Sequence, residues 1–274
     1  NIDIYFPNQL GGNQLWRGVG AGRFEDGTTP DLALEESISV TASFADVDND
    51  GDVDLYVTAV RTGNRLLVND GTGAFGDRSA ASGLDHKGHS SAAVFFDYNR
   101  DGRLDLFLTN VGRYTSAHRV PVSAASERGA GEYTYYRGFN DAFSGHLYPE
   151  RSERSLLFEN AGERRFVEVA EQRRLVDESW SGDAYPLDAN EDGWPDLYVL
   201  NMQGNDEYYE NVRGEYFVRK SRQLFPTTPW GSMGVAALDY DNDGRMDLYV
   251  TDMHSDMSED IGPGREKLKA MMQH

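Results

Sequence analysis

The residues of this chain with the plainest chemistry are carboxylates set at alternate positions. Asp46, Asp48, Asp50 and Asp54 fall within nine residues, with Gly51 between the third and the fourth. The pattern returns at Asp97, Asn99, Asp101, Gly102 and Asp105, at Asp188, Asn190, Asp192, Gly193 and Asp196, and at Asp239, Asp241, Asp243, Gly244 and Asp247. Carboxylates ~4 Å apart repel by about 4 kcal/mol per pair at an effective dielectric near 20, so four such clusters make little sense without a cation. The donors are all oxygens, which select a hard ion, and Ca²⁺ accepts six to eight of them in a flexible shell. Glycine at the sixth position allows the tight turn that wraps a chain round an ion. Position seven varies freely as Asp52, Arg103, Trp194 and Arg245, as expected if only its backbone carbonyl is a ligand. The expected sites are therefore four Ca²⁺ loops, each built from the side chains at positions one, three, five and nine and the carbonyl of residue seven. The bland alternative, an Asx-rich turn with no ion, accounts for one copy more easily than for four.

An EF-hand opens with the same residues but needs a bidentate Glu at position twelve and a helix on either side. Position twelve here is Val57, Leu108, Val199 and Val250. The flanks Val40–Phe44 and Leu55–Ala59 are rich in β-branched and aromatic residues and too short for helices, so they read as strands. The loops must be held by a β scaffold.

The period of that scaffold is visible. Asp46 to Asp97 and Asp188 to Asp239 are both 51 residues, and Asp97 to Asp188 is 91. A second landmark, an Asn six residues before a Phe, recurs as Asn69 to Phe75, Asn160 to Phe166 and Asn211 to Phe217, in the same rhythm. One unit reads as four strands: about Ile38–Ala45, Leu55–Val60, Arg65–Val68 and a short edge near Phe75–Arg78, with a turn at Gly71–Gly73. Four strands in ~50 residues is the size of a propeller blade. The fold class expected is all-β, a β-propeller of ~51-residue four-stranded blades.

These units resemble the FG-GAP/VCBS repeats of integrin-α-like β-propellers, through the four Asp-x-Asp/Asn-x-Asp-Gly-x-x-Asp-Leu loops and the Asn…Gly…Phe turns that follow them. The phrase Asp247-Leu248-Tyr249-Val250-Thr251-Asp252-Met253-His254-Ser255-Asp256-Met257, with the long second-blade insertion, further resembles bacterial relatives of cartilage acidic protein, the ASPIC/UnbV-type proteins. The resemblance covers about residues 1–260 and implies a fold more sharply than a function.

Asp3-Ile4-Tyr5-Phe6 lies 51 residues before Asp54-Leu55-Tyr56-Val57. The array then reads as strands B, C and D of one blade, three complete blades, and strands A and B of another, the expectation being a fragment of a longer, seven-bladed propeller. The extra 40 residues fall between strands B and C of the second full blade, about Arg113–Glu153. They hold Tyr114, Tyr133, Tyr135, Tyr136, Phe139, Phe143 and Tyr148, and long loops on rigid scaffolds often carry recognition. The opposing expectation is that these aromatics merely pack on neighbouring blades. Residues 261–274 change character and are expected to form a short helical tail, with Leu268, Met271 and Met272 at helical spacing.

With 46 Asp+Glu against 26 Lys+Arg the net charge is −20, which disfavours nucleic acid and anionic membranes. There is no cysteine, hence no disulfide framework and no thiol nucleophile. No apolar run approaches a membrane span, and no signal peptide starts the sequence. Loops without a terminal Glu suit millimolar Ca²⁺, which points to an extracellular or periplasmic home. There is no G-x-S-x-G elbow, P-loop or dinucleotide fingerprint, and the glycines from Gly18 to Gly22 read as a hairpin turn. His86, His89, His118, His146, His254 and His274 lack metal-ligand spacing and read as surface or packing residues. Two function classes follow. The first is a Ca²⁺-stabilised, non-catalytic interaction or adhesion module presenting loops to a protein or glycan partner, or to another copy of itself. The alternative is a carbohydrate-active enzyme on the same scaffold, with Asp141, His146 and Glu150 as acid/base candidates.

Overall fold

The computed structural model describes residues 2–126 and 129–253. The tail expected over 261–274 lies outside the described residues, as do His254 and the side chains of Phe143 and His146.

The chain lays down a succession of antiparallel sheets. The first has three strands, β1 (Ile4–Phe6), β2 (Gln14–Gly20) and β3 (Arg23–Asp26). The second is β4 (Ser39–Ala45), β5 (Asp54–Ala59), β6 (Arg65–Asn69) and β7 (Phe75–Asp77), in that order. The third begins with β8 (Ser90–Phe96) and β9 (Asp105–Asn110), makes an excursion through a separate hairpin of β10 (Thr115–Ser126) and β11 (Gly129–Gly138), and resumes with β12 (Leu156–Asn160) and β13 (Phe166–Glu168). The fourth is β14 (Trp180–Leu187), β15 (Asp196–Gln203), β16 (Glu207–Val212) and β17 (Tyr216–Arg219). The last described sheet is β18 (Ser232–Leu238) with β19 (Asp247–Asp252). These sheets are β-propeller blades, of three, four, four, four and two strands among the described residues, with strand positions as the period predicts.

The core lies between blades. Successive side chains of a strand point to opposite faces, and a second strand flanked by blades on both sides must be apolar on both. Asp-Leu-Tyr-Val-Thr-Ala in β5 and Asp-Leu-Phe-Leu-Thr-Asn in β9 are buried throughout. Leu55, Val57 and Leu67 pack back on Tyr5, Leu15 and Leu32. On the other face of the same blade, Tyr56, Leu66 and Val68 pack forward on Leu106, Leu108 and Phe158. The next seam repeats this, Tyr98 and Phe107 meeting Leu197, Val199 and Phe217.

The first strands of successive blades, β4, β8, β14 and β18, pack side by side. Hydroxyls stitch them together. Thr41 Oγ1 donates to the Ser91 carbonyl at 2.6 Å, and Ser43 Oγ to that of Ala93 at 2.7 Å. At the far end of the blades, a polar pin crosses each boundary: Asn13 Nδ2 donates to Ser39 Oγ at 2.9 Å, and Asn64 Nδ2 to Ser90 Oγ at 3.0 Å. Ser232 Oγ donates to Asp206 at 2.8 Å in the equivalent place. Ser155, at the corresponding position of the third sheet, is too short to reach Ser181, so the Asp177 carboxylate takes both hydroxyls.

The 40-residue excursion leaves the blade's pairing unchanged. Leu106 faces Phe158 across β9 and β12, as Leu55 faces Leu67 and Leu197 faces Tyr209.

Candidate metal centres

Each acidic loop joins the first strand of a blade to the second, and in all four the backbone holds the carboxylates the same way. The amide of residue five donates to one oxygen of residue one: Asp50 to Asp46 at 3.1 Å, and Asp101 to Asp97, Asp192 to Asp188 and Asp243 to Asp239 at 3.0 Å. The glycine amide donates to the other oxygen of residue one, at 2.8–3.0 Å. The amide of residue seven donates to residue five, as in Asp52 to Asp50 at 3.1 Å. Wrapping the chain this tightly puts residue four in the left-handed region, φ 57–62° at Asn49, Arg100, Glu191 and Asn242. The glycine follows at 84–94°. Beside Gly51, Gly102 and Gly244 there is open space for a Cβ, so glycine is required there by its φ and not by crowding.

In the first loop Asp46, Asp48 and Asp50 each bring an oxygen within 4.8 Å of the others, and in the fourth Asp239, Asp241 and Asp247 do so. Two acidic clusters among the described residues are thus arranged as a divalent cation would need. The donor set fits Ca²⁺: oxygens only, on a loop whose amides fix carboxylates that keep spare lone pairs.

The ninth residue has a second task. Asp54 accepts the amides of Val47 at 3.1 Å and Asn69 at 2.9 Å, which ties the loop to the third strand of its blade. Asp105 accepts those of Tyr98 and Asn160, and Asp196 those of Ala189 and Asn211. These three carboxyls are buried, whereas Asp247 is half-exposed and, among the described residues, accepts the Tyr240 amide. Burial raises all three above the usual carboxylate range, Asp105 to about 7, against the pull of the amides. A bound cation would favour the ionised form.

Sequence reasoning missed two residue roles here. The recurring Asn is a brace between blades: Asn160 Nδ2 donates to Val47 of the preceding loop and to Leu104 of its own, and Asn211 Nδ2 to Tyr98 and Pro195. Its regular spacing was the available signal. The second residue is Arg164, in the β12–β13 turn, whose guanidinium bonds Asp48 and lies 3.5 Å from Asp50 of the preceding blade. Gly73 and Glu215 stand at its place in the other blades, so no repeat signal marks it.

The insertion leaves the array at the end opposite the acidic loops, and most of its aromatics meet scaffold or arginine. The Tyr114 ring lies edge-on to His89, centroids 4.8 Å apart. Buried His89 meets Glu153 at 3.0 Å and Thr115 at 2.8 Å, which fits the packing role expected of it. Glu153 is held below its usual range: burial works most strongly against this, and the side-chain and backbone hydrogen bonds from His89 together with the nearby imidazoles of His89 and His86 outweigh it. Arg61 bonds Thr115 Oγ1 at 2.9 Å and its carbonyl at 2.7 Å. Tyr136 lies beneath Arg61 and Arg119, and Arg151 sits between Phe139 and Tyr148. Gly145 and Gly112 abut the Trp180 indole, where any Cβ would collide. Tyr135, Leu147 and Tyr148 remain exposed. Between insertion and scaffold lies an apolar hollow of about 390 Å³, lined in part by Val40, Val111, Tyr114, Ala142, Trp180 and Met202.

Of the acid/base candidates, Asp141 is clasped by Arg151 at 2.9 and 3.2 Å, which holds it below the usual carboxylate range. Glu150 is exposed.

A family model described as FG-GAP-like repeat matches residues 1–57, 46–108 and 188–250. No curated protein matches the chain. Among solved structures, that of an Agrocybe aegerita lectin, described as recognising non-reducing terminal N-acetylglucosamine, is 15% identical over 90% of this chain and 70% of its own, with a TM-score of 0.36. That likeness is too low to bear on function.

Proposed function

The chain belongs to the FG-GAP-like repeat family, and from that premise we propose that it is a calcium-stabilised, non-catalytic interaction module that offers its second-blade insertion to a protein or glycan partner. The observation that carries this reading is the division of the scaffold into two ends. Four acidic loops of one geometry crowd one end, and the single irregular element, rooted through His89, Thr115 and Trp180, emerges at the other.

At the acidic end, Asp46, Asp48, Asp50 and Asp54 and their counterparts, with the carbonyls of Asp52, Arg103, Trp194 and Arg245, would hold the ions. Ca²⁺ would there relieve repulsion among the carboxylates and stiffen the turn that feeds each second strand. At the opposite end, the insertion carries exposed Tyr135, Leu147 and Tyr148, and tyrosine buries much area at small entropic cost. Binding of Ca²⁺ at millimolar levels would place the protein outside the cytosol, extracellular or periplasmic. Catalysis by the insertion draws no support from Asp141, whose charge is already matched by Arg151.

The test is calorimetric titration of chelated protein with Ca²⁺, alongside a glycan and protein-binding screen of the intact chain and of a variant with Arg119–Tyr136 replaced by a short turn. The reading requires at least two Ca²⁺ sites, and a partner retained by the intact chain but lost by the trimmed one. Fewer than two sites, or partners retained equally by both, would refute it.

A further inference from the structure

We infer, resting on the calcium reading, that the acidic loops bind their ions cooperatively: an ion in one loop strengthens binding in the loop before it, through the residue at position four. That residue is no ligand. It sits between ligand positions three and five with left-handed backbone, φ 60° at Asn49, 57° at Arg100 and 58° at Glu191, and at each of the three boundaries between loops it meets the next one. Asn49 Nδ2 donates to the Gly102 carbonyl at 2.9 Å. The Arg100 guanidinium lies over the Trp194 ring, 5.3 Å from its centroid. Glu191 Oε1 lies 3.4 Å from Arg245 Nε. Gly102 is residue six of its loop, and Trp194 and Arg245 are residue seven of theirs.

The contacts land where a cation would act. The peptide between residues six and seven is planar, so its two ends turn together. In the second loop its carbonyl accepts Asn49, and its N–H, that of Arg103, donates to the ligand Asp101 at 3.0 Å. In the third loop the Trp194 amide donates to Asp192 at 3.0 Å, while the ring of the same residue carries Arg100. An ion that takes the residue-seven carbonyl and the residue-five carboxylate therefore fixes the partner of the preceding loop's residue four. That preceding loop then loses less freedom when its own ligands at positions three and five close on an ion. The effect is reciprocal, since a coupling free energy belongs to the pair of sites.

Packing adds to these contacts. Gly214, in the β16–β17 turn, lies so close to Asn99 and to the Trp194 ring that any Cβ there would collide with both. Ligand position three of the second loop and residue seven of the third thus press on one glycine, and neither loop can shift alone. Charge opposes the coupling, because each bound ion lowers the negative potential at its neighbour. Salt at about 0.15 M screens that repulsion over about 8 Å, whereas packed contacts are unaffected by it.

The experiment titrates the chelated full chain with Ca²⁺ and reads the third loop through Trp194, its emission taken as the difference from Trp194→Phe. Calorimetry of the same samples counts the sites, and equal melts in chelator check that each variant keeps the fold. Asn99→Ala removes a ligand of the second loop, keeps the Cβ and changes no charge. It should raise the Ca²⁺ midpoint of the third loop about two- to fivefold, the size that one exposed cation–π contact allows. Arg100→Asn suits the left-handed backbone and leaves every ligand in place. In that background Asn99→Ala should no longer move the third-loop midpoint. A midpoint indifferent to Asn99→Ala, or shifted equally with and without Arg100→Asn, would overturn the coupling while at least two calorimetric sites keep the calcium reading intact. Fewer than two sites would remove both.

Discussion

Arg164 reaches across a blade boundary and sets its guanidinium on Asp48, inside a loop that belongs to the preceding sheet. The first loop, which has the full set of four carboxylates, therefore already carries a cation of its own, and the hydrogen bond to Asp48, with the charges of Asp48 and Asp50, keeps Arg164 protonated against the opposing effect of burial. Any metal entering there must displace or share that partner. Arg164→Gln is expected to raise the Ca²⁺ affinity of the first loop several-fold, while lowering the stability of the metal-free protein by no more than about 1 kcal/mol, as for an exposed ion pair. Titrations of chelated wild type and variant decide it; an unchanged or weaker first site would show that Arg164 does not compete.

Calcium should stabilise the fold by linkage, because the unfolded loop cannot hold the ion. One site at 100 times its Kd contributes about 2.7 kcal/mol. Thermal melts in Ca²⁺ and in chelator should differ by several degrees. Superimposable melts would make the loops plain Asx turns, whatever their resemblance.

The buried Asn braces are expected to contribute strongly to stability. In Asn160→Ala the carbonyls of Val47 and Leu104 lose their donor at a buried boundary, at a cost of about 2–3 kcal/mol. The Asn69 side chain donates to Val53 and accepts the amides of Gly71 and Gly73, all within its own blade and exposed, so Asn69→Ala should cost under about 1 kcal/mol. Urea unfolding of the two variants separates a cross-blade brace from a turn former; equal losses would contradict it.

Burial holds the Asp206 carboxyl above its ordinary value of 3.8, against the hydrogen bonds from Asn201, Ser232 and Tyr198. For an acid raised on folding, stability is greatest below its unfolded value and is lost as pH rises through the folded one. Asp206→Asn can adopt the arrangement of Asn13, which donates to Tyr5 and Ser39 from the equivalent position. The variant should be more stable than wild type at pH 7.5, and that advantage should shrink as pH falls toward 3.8. A pH-independent difference between the two would mean that Asp206 is not the source.

The fold was legible because the information for it is repeated. A strand period, a loop with fixed ligand positions and a landmark Asn place every blade, and even the site of the insertion follows from where the match resumes at Leu157. What was not legible depends on neighbours distant in sequence. Asn160 and Val47 are 113 residues apart, and Arg164 and Asp48 are 116 apart. No local pattern couples them. The number of aromatics in the insertion leaves open whether they face a partner or pack on the scaffold; Tyr114, Tyr136 and Phe139 meet His89 and arginines. Composition records how many rings a loop has and not what they already touch.

The unbroken pairing of Leu106 with Phe158 across the insertion has a meaning for how such a protein can change. The mouth between β9 and β12 works as a splice port, because the scaffold on either side keeps its register with 40 residues of foreign length threaded through it. The bottom corners of the other complete blades, Ala59 to Arg65 and Gln203 to Glu207, open in the same direction. One propeller of this kind could thus trade one loop for another by grafting at a corner, while its acidic rim is inherited untouched.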